Sequence, residues 1–311
     1  MNALEIKNLS VSFLMYDKGI KKKALKVISD LSISIKPGEI HAVIGSSGSG
    51  KSLLAHALLG ILPKNAVTTS EMNWFGEKLT PALQKKLRGE QMVLVPQSVN
   101  YLDPLMRVGK QICKDKALAL ETLKRYELDD SAAKKYPFEL SGGMARRVLV
   151  STAAATQAKV IIADEPTPGL SPALAEGTMS RFRALADEGA AILLITHDLD
   201  LAMRYADEIS VFYAGTTLET AKASDFCQEE LLRHPYSKAL WRAMPQNKFE
   251  PIPGTQPYAG NLPSGCVFSD RCPLRTEACD KRPEFRTVRG GSWRKARASG
   301  KLIWADDTKI I

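Results

Sequence analysis

Eight consecutive residues combine glycines, serines and one lysine in a pattern suited to holding phosphate groups. They are Gly45, Ser46, Ser47, Gly48, Ser49, Gly50, Lys51 and Ser52. Glycines adopt positive φ and let phosphate oxygens come close to backbone N–H groups. In such a loop the lysine reaches the β- and γ-phosphates, and the final serine binds Mg²⁺. The pattern therefore predicts a binding site for a nucleotide triphosphate with Mg²⁺.

Two acidic residues, Asp164 and Glu165, end an apolar run that begins at Val160. Adjacent acids on a loop are usually only solvated, but these two follow a predicted buried strand in a chain with a phosphate loop. A carboxylate is a ligand that Mg²⁺ prefers, and a second one can orient or activate an attacking water. We therefore predict Asp164 as a magnesium ligand and Glu165 as the general base.

The segments around the glycine-rich loop have the periodicity of strands and a helix. Apolar and polar residues alternate over 3–13 and 28–36, which predicts half-buried antiparallel strands. Residues 39–45 form a short apolar run that ends in glycine, and 51–62 carry apolar residues at helical spacing. Strand, glycine loop and helix, in this order, are the setting that a phosphate loop requires.

Strand and helix patterns alternate in the middle of the chain. Residues 98–155 have a helical pattern, 160–165 and 190–197 are apolar strands, and 172–188 form a helix between those strands. This alternation predicts an α/β fold in which helices cover both faces of a parallel sheet. We expect an antiparallel sheet at the amino terminus and an α-helical subdomain at about 98–155.

The composition changes after Leu232, where prolines become frequent. They are Pro235, Pro245, Pro251, Pro253, Pro257 and Pro263. Because proline interrupts helices and central strands, we predict a nucleotide-binding domain over 1–232 and a small irregular extension over 233–311.

The overall composition is that of a globular protein. The 311 residues are 44% hydrophobic and 25% charged, which excludes collagenous and disordered chains. The net charge of +9 suits nucleic acid, anionic lipid and nucleotide phosphates equally. No apolar run approaches the roughly 18–20 residues that cross a bilayer, and the first residues lack a signal-peptide pattern. We expect a cytoplasmic chain that only partners hold to a membrane.

Three further features join the two motifs: the segment Leu140–Met144, Gln97 and His197. The set and its order resemble the ATP-binding cassette (ABC) ATPases, over about residues 3–232. The resemblance implies that Ser141, Gly142 and Gly143 bind the γ-phosphate of ATP held by a second subunit. It also implies that Gln97 contacts Mg²⁺ or the lytic water, and that His197 touches the γ-phosphate. ATP and Mg²⁺ are the implied ligands.

The resemblance places an aromatic at the adenine ring. Phe13 stands in that place, and Tyr16 is a second candidate. An aromatic residue that ends a strand is also commonly part of the core, so stacking on adenine and core packing both stay open for Phe13.

The sequence departs from the family pattern at two places. The loop after the base usually ends in an acid that couples the two ATP sites, but Ser171 stands there. Arg146 stands two residues after the signature segment Leu140–Met144, at a position where many relatives carry glutamine. Because Glu165 and His197 are intact, we expect the site of this chain's own phosphate loop to hydrolyse ATP. The missing acid favours pairing with a non-identical ATPase subunit.

The tail resembles the C-terminal extension of dipeptide, oligopeptide and nickel importer ATPases. The matching segments are 234–240, 252–254, 263–268 and 271–273. The resemblance implies a bacterial peptide importer with two transmembrane permease subunits and an extracytoplasmic substrate-binding protein. It places this chain at the cytoplasmic face of the inner membrane, with no nucleic acid as partner. The alternatives are a nickel-chelate or opine importer and a soluble ABC ATPase without a transporter.

Three cysteines, Cys266, Cys272 and Cys279, cluster in the tail. In some relatives, cysteines of this region hold an iron–sulfur cluster, which normally uses four thiolates. The spacing also lacks the paired C-x2-C of a zinc ribbon. An iron–sulfur cluster with a fourth ligand from elsewhere, a structural metal and free thiols all stay open. A basic run over 281–301 either binds an anionic surface or is simply solvated.

Overall fold

A computed structural model describes residues 1–16, 22–46, 48–288 and 291–295 of the chain. The strands are β1 (Leu4–Tyr16), β2 (Lys22–Ile35), β3 (Ile40–Ile44), β4 (Ala66–Trp74), β5 (Glu77–Lys78), β6 (Met92–Val95), β7 (Val160–Asp164), β8 (Ala191–Thr196), β9 (Glu208–Tyr213), β10 (Thr216–Lys222), β11 (Glu284–Val288) and β12 (Gly291–Lys295). The helices are α1 (Lys51–Leu59), α2 (Pro81–Leu87), α3 (Val108–Ile112), α4 (Lys116–Arg125), α5 (Gly142–Ala154), α6 (Pro172–Asp187), α7 (Leu199–Tyr205) and α8 (Pro235–Arg242).

The central sheet has a parallel core. Within the described residues its strand order is β11-β12-β10-β9-β3-β8-β7-β6. The strands from β9 to β6 run parallel, whereas β10, β12 and β11 are antiparallel at one edge. Every residue of β3, β7 and β8 is buried. Burial on both faces explains why these strands are continuous apolar runs in the sequence.

An antiparallel sheet covers the amino-terminal side, with the order β2-β1-β4-β5 in the part of the chain described. One core cluster joins β1 and β2 to helix α1 and to one face of the parallel sheet. The alternation in the sequence reflects this packing, because one face of the antiparallel sheet is buried and the other is not. Both sheets agree with the predicted architecture.

Helices α3, α4 and α5 form a separate group with a core of its own. Its buried residues include Leu102, Val108, Leu123, Val148 and Leu149. This group lies in the predicted helical region, after β6 and before β7 in the chain. It positions the signature segment, because Ser141 is the N-cap of α5.

The C-terminal extension packs on the same core as the parallel sheet. Tyr213 of β9 lies against Tyr236 and Phe268, with ring centroids 4.6 and 5.5 Å apart. Buried Glu219 of β10 accepts hydrogen bonds from the backbone N–H groups of Arg233 and His234 at 2.9 and 2.8 Å. These contacts anchor the start of the extension, and β12 continues the sheet next to β10. The boundary at 232/233 stays a prediction.

One proline has a different effect from the one expected. Pro235 does not interrupt regular structure but begins α8, with His234 as the N-cap whose ring accepts from the Tyr236 N–H at 3.1 Å. Proline suits the first turn of a helix because its missing N–H would have no partner there. In the part of the chain that the structure covers, no helix is long and apolar enough to cross a membrane.

Candidate functional site

The predicted site residues follow strands that end at one edge of the parallel sheet. Ala163 of β7 pairs with Val95 on one side and Leu194 on the other, and Ile44 of β3 pairs with Thr196. Parallel strands in register bring the residues after their carboxyl ends together, where ligands of such sheets bind. Those residues are Gly45, Gln97, Glu165 and His197.

The loop between β3 and α1 needs its glycines for two different reasons. Gly48 and Gly50 have φ values of 77° and 98°, which side chains rarely adopt. A Cβ on Gly45 would lie 2.2 Å from the carbonyl oxygen of Phe212, so no side chain fits there. Among the described residues no side chain caps the start of α1, and its first N–H groups point into the loop as anion donors. The geometry fits a bound phosphate chain.

Lys51 lies buried at the mouth of this loop. Its Nζ donates to the carbonyl oxygens of Gly45 and Ser46 at 2.7 and 3.0 Å. An ammonium has three donors, so a phosphate oxygen can accept the third. Burial lowers the pKa of Lys51, and the carboxylates of Glu165 and Asp164 oppose that shift. The two acids therefore help to keep the lysine charged beside the phosphate site.

Asp164 ends β7 as a buried carboxylate that is incompletely satisfied. Its Oδ1 has no hydrogen-bond partner in the described part of the chain. Burial raises the pKa of Asp164, and a hydrogen bond from the Ser52 hydroxyl opposes this. A buried carboxylate oxygen without a partner is costly unless a cation binds it. Asp164 and Ser52 together offer the hard oxygen ligands that fit Mg²⁺.

Glu165 and His197 form a direct pair. The Nδ1 atom of His197 lies 2.9 and 2.8 Å from the two carboxylate oxygens of Glu165. The Glu165 side chain is 9% exposed and that of His197 is 59% exposed, so the pair spans from the buried sheet edge to solvent. Glu165 has a φ of 49°, and its N–H donates to the Ile195 carbonyl at 2.8 Å. The structure thus joins two residues that the sequence predicted separately.

Arg146 also reaches this site, and the sequence did not predict its contacts. Its guanidinium donates to the carbonyl oxygens of Pro96 and Gln97 at 3.0 and 2.7 Å, and to that of Glu165. The Gln97 side chain is exposed, and the register of β6 beside β7 places it next to Glu165. Only the replacement of the usual glutamine marked Arg146 in the sequence.

The signature residues lie on the surface. Ser141, Gly142 and Gly143 are exposed, and the Ser141 Oγ accepts from the Met144 N–H at 3.4 Å. A Cβ built on either glycine meets no atom of the described residues within 4 Å. The start of α5 is therefore open to an anion that another molecule presents.

Phe13 is partly buried on β1, where it pairs with Leu25 of β2 and Ala66 of β4. It packs against the core beneath the antiparallel sheet. Tyr16 is 67% exposed, with the Lys22 ammonium 5.5 Å from its ring centre. The adenine contact of Phe13 stays a prediction.

The extension reaches the phosphate loop through a residue without any signal in the sequence. The Ser46 Oγ donates to the Gln256 Oε1 at 2.6 Å, and the same oxygen accepts from the Ala214 N–H at 3.3 Å. The Tyr236 side chain also hydrogen-bonds Ser46. Two side chains of the C-terminal extension, Gln256 and Tyr236, therefore contact Ser46.

The three tail cysteines lie near one another in the C-terminal extension. The Cys266 N–H donates to the Cys279 carbonyl at 2.8 Å, and burial raises the pKa of the Cys272 thiol. Across the described ranges, no three His, Cys, Asp or Glu side chains come together as metal ligands. The described residues therefore give no support for an iron–sulfur cluster.

Two predicted features fall outside what the structure describes. Ser47 of the phosphate loop is outside the described residues, as are residues 289–290 and 296–301 of the basic run.

Two family models match this chain. The model described as "ABC transporter" matches residues 28–168, and the one described as "Oligopeptide/dipeptide transporter, C-terminal region" matches residues 218–279. The oligopeptide transport ATP-binding protein OppD of Salmonella typhimurium is 33% identical, over 94% of this chain and 92% of that protein. OppD of Haemophilus influenzae is 34% identical, over 96% and 98%. The dipeptide transport ATP-binding protein DppD of Haemophilus influenzae is 33% identical, over 90% of both chains.

Solved ATP-binding cassettes have the same fold. The cassette MJ0796, a dimer in a post-hydrolysis state bound to ADP and phosphate, is 26% identical with a TM-score of 0.61 over 71% of this chain and 98% of that one. An ATP-binding subunit of an ABC transporter superposes with a TM-score of 0.58 at 24% identity, over 72% and 91%. The fold predicted from the sequence is confirmed. The chain therefore belongs to the ABC transporter family, as an ATP-hydrolysing subunit that carries the C-terminal region of the oligopeptide/dipeptide transporters.

Proposed function

We propose that this chain hydrolyses ATP to drive the uptake of peptides through a channel formed by two membrane permease subunits. The names of the relatives, which are oligopeptide and dipeptide transport proteins, support peptides as the substrate class. The C-terminal region match supports the same class. An extracytoplasmic binding protein would deliver the peptide, and the chain would act at the cytoplasmic face of the inner membrane.

Each residue at the sheet edge has its own role in ATP hydrolysis. Backbone N–H groups of the loop 45–52 and the Lys51 ammonium bind the β- and γ-phosphates. Glu165 orients a water and accepts its proton as the water oxygen attacks the γ-phosphorus. The bond from that phosphorus to the bridging oxygen then breaks, and ADP and inorganic phosphate leave. His197 holds the Glu165 carboxylate through its Nδ1 and lies close enough to solvent to meet the γ-phosphate.

Ser52 and Asp164, with the side chain of Gln97, are the residues that would hold Mg²⁺. The Asp164 Oδ1, which has no hydrogen-bond partner among the described residues, supports this assignment. When bound, Mg²⁺ neutralises charge on the β- and γ-phosphates. The protein's part is to supply oxygen ligands at the end of β7 and the start of α1.

The site is completed by a second ATPase subunit. The exposed start of α5, with Ser141 and Gly143, would bind the γ-phosphate of ATP on the partner, and the partner's signature would bind the ATP of this chain. Ser171 accepts from the Leu174 N–H at 3.4 Å as the N-cap of α6, and it offers no carboxylate across the interface. We therefore infer a non-identical partner, and a stable, active homodimer would contradict this.

The Glu165–His197 contact is the observation on which the hydrolytic role depends. Replacing Glu165 with Gln keeps the shape but removes the base, so ATP turnover of the assembled complex should fall by about 10²-fold or more, with ATP binding retained. Glu188→Gln, at an exposed acid that pairs with Arg181, is the matched control. Unchanged ATPase activity in E165Q would reject the assignment.

The substrate class needs its own experiment. Cells that lack this chain should lose uptake of a radiolabelled tripeptide and regain it with the wild-type chain but not with E165Q. Uptake of a labelled nickel chelate is measured in parallel. Loss of nickel uptake with intact peptide uptake would favour the nickel-importer alternative.

A further inference from the structure

We propose that Arg146 is a positioning residue that locks Glu165 and Gln97 to the signature helix α5 of the same chain. This inference rests on the proposed role of Glu165 as the base. It assigns a function to a position at which this chain departs from the family pattern.

The contacts of Arg146 converge from two segments. One nitrogen of the guanidinium donates to the carbonyl oxygens of Pro96 and Gln97, at 3.0 and 2.7 Å, and the other donates to the carbonyl of Glu165. Arg146 is only 5% exposed, so water competes little for these carbonyls. The loop after β6 and the loop after β7 are thus held by one side chain.

The backbone of Glu165 needs such support. Its φ of 49° lies in the left-handed region, which is unfavourable for a residue other than glycine. The N–H of Glu165 is bonded to Ile195 at 2.8 Å, and its carbonyl is bonded to Arg146. With both backbone groups fixed, the carboxylate points at the Nδ1 of His197.

Arginine suits this task better than the glutamine that many relatives carry. A guanidinium is planar, has five donors in a fixed fork and stays charged when buried. A glutamine amide has two donors on a shorter side chain. The cationic fork also lies where the acids Asp164 and Glu165 act on it electrostatically.

Arg146 connects the signature at the start of α5 with the proposed base Glu165. α5 begins at Gly142, with Ser141 as its N-cap, and Arg146 lies in the following turn. The signature that this chain presents to its partner is therefore tied to the base of its own site. A movement of Gln97 or Glu165 would be transmitted to the start of α5.

The test compares R146Q, R146K and the neighbouring control R147Q in the full chain, purified with the subunits that accompany it. Arg147 donates to the carbonyls of Tyr126 and Glu127, away from the sheet edge. We expect R146Q to lower kcat by about 10- to 100-fold, with KM for ATP and the affinity for a fluorescent ATP analogue within about twofold of wild type. R146K keeps the charge but not the fork and should lose about 3- to 10-fold in kcat. R147Q should keep kcat within about twofold of wild type.

Several results would overturn the inference. They are a wild-type kcat in R146Q, an increase in KM at constant kcat, and an equal loss of kcat in R146Q and R147Q. If R146Q does not fold, the kcat of R146K tests the inference instead. A wild-type kcat in R146K would show that the guanidinium with its fixed donors is not needed. E165Q is measured beside them. Wild-type kcat in E165Q would reject Glu165 as the base. Loss of activity in E165Q together with wild-type kcat in R146Q would reject only the role of Arg146.

Discussion

Ser46 in the phosphate loop donates a hydrogen bond to Gln256 in the C-terminal extension, although 210 positions separate them in the chain. The bond is 2.6 Å long, and Ala214 donates to the same Gln256 oxygen from the turn between β9 and β10. The Ser46 carbonyl in turn accepts from Lys51 at 3.0 Å. The extension therefore contacts the residue of the phosphate loop whose carbonyl accepts from Lys51.

Removing the Gln256 side chain should weaken nucleotide binding. A neutral hydrogen bond contributes about 0.5–1.5 kcal/mol, so Q256A should lose about two- to tenfold in ATP affinity because the loop is less ordered before ATP binds. Isothermal titration of the full chain with ATP measures this. Q246A is the control, since Gln246 lies in the same extension but bonds to Asp200 on α7 at 3.1 Å. Equal affinities in Q256A and the wild type would show that the contact does not order the loop.

Replacing Asp164 with asparagine should separate magnesium binding from nucleotide binding. The amide keeps the volume but loses the charge of the carboxylate, so the Mg²⁺ concentration for half-maximal ATPase activity should increase roughly tenfold or more. Binding of ATP in the presence of EDTA should change little, because the loop N–H groups and Lys51 remain. Asp187→Asn, at an exposed residue paired with Arg183, is the matched control. An unaltered Mg²⁺ requirement in D164N would exclude Asp164 as a ligand.

Local sequence patterns predicted the strands, loop and helix of the site. They did not predict the side-chain contacts between residues that are far apart in the chain. The strand 39–45, the glycine loop and the helix 51–62 were predicted from neighbouring residues. The structure has β3 over Ile40–Ile44 and α1 over Lys51–Leu59, so the helix ends three residues before the predicted end. The contacts of Arg146 with Gln97 and Glu165 depend on packing between segments 49 and 19 positions apart. No periodicity encodes such contacts.

The prolines of the extension also show that a sequence pattern does not determine the local structure of each residue. Proline frequency predicted an irregular extension, yet Pro235 occupies the first turn of α8, where its ring is compatible with a helix. Whether a proline ends or begins a helix depends on the residues beside it, and here His234 supplies the cap. The frequency of one residue type does not contain that information.

His41 should make the folded chain sensitive to mild acid. Burial lowers the pKa of His41 from 6.5 to about 4, against a weaker opposing effect of Glu39. Its Nε2 lies 2.8 Å from the Ser210 Oγ, and its Nδ1 lies 3.6 Å from a carboxylate oxygen of Glu208. Because the folded pKa is below the unfolded one, the neutral imidazole stabilises the fold above pH 6.5, and this contribution is lost as the pH falls towards 4.

The loss attributable to His41 is on the order of 3 kcal/mol across that range. Urea unfolding of the wild type and of H41Q at several pH values between 7 and 4.5 measures it. The free energy of unfolding should fall less steeply with decreasing pH in H41Q, because its amide does not titrate. Parallel pH profiles for the two proteins would show that His41 is not the group responsible.

Changing Gly143 should affect the partner's ATP site and spare the site of this chain. Gly143 is exposed at the start of α5, and a Cβ there meets no atom within 4 Å in the part of the chain that the structure describes, so G143A should fold normally. The added methyl would stand between the helix N–H groups and the γ-phosphate of the partner's ATP. We expect unchanged ATP affinity in the isolated chain and a loss of about tenfold or more in ATPase activity of the assembled pair.

G177A is the control, because Gly177 lies inside α6 in equally open space. Alanine there should stabilise the helix by about 0.5–1 kcal/mol without touching ATP. A G143A pair as active as the G177A pair would mean that the exposed start of α5 does not bind the partner's nucleotide.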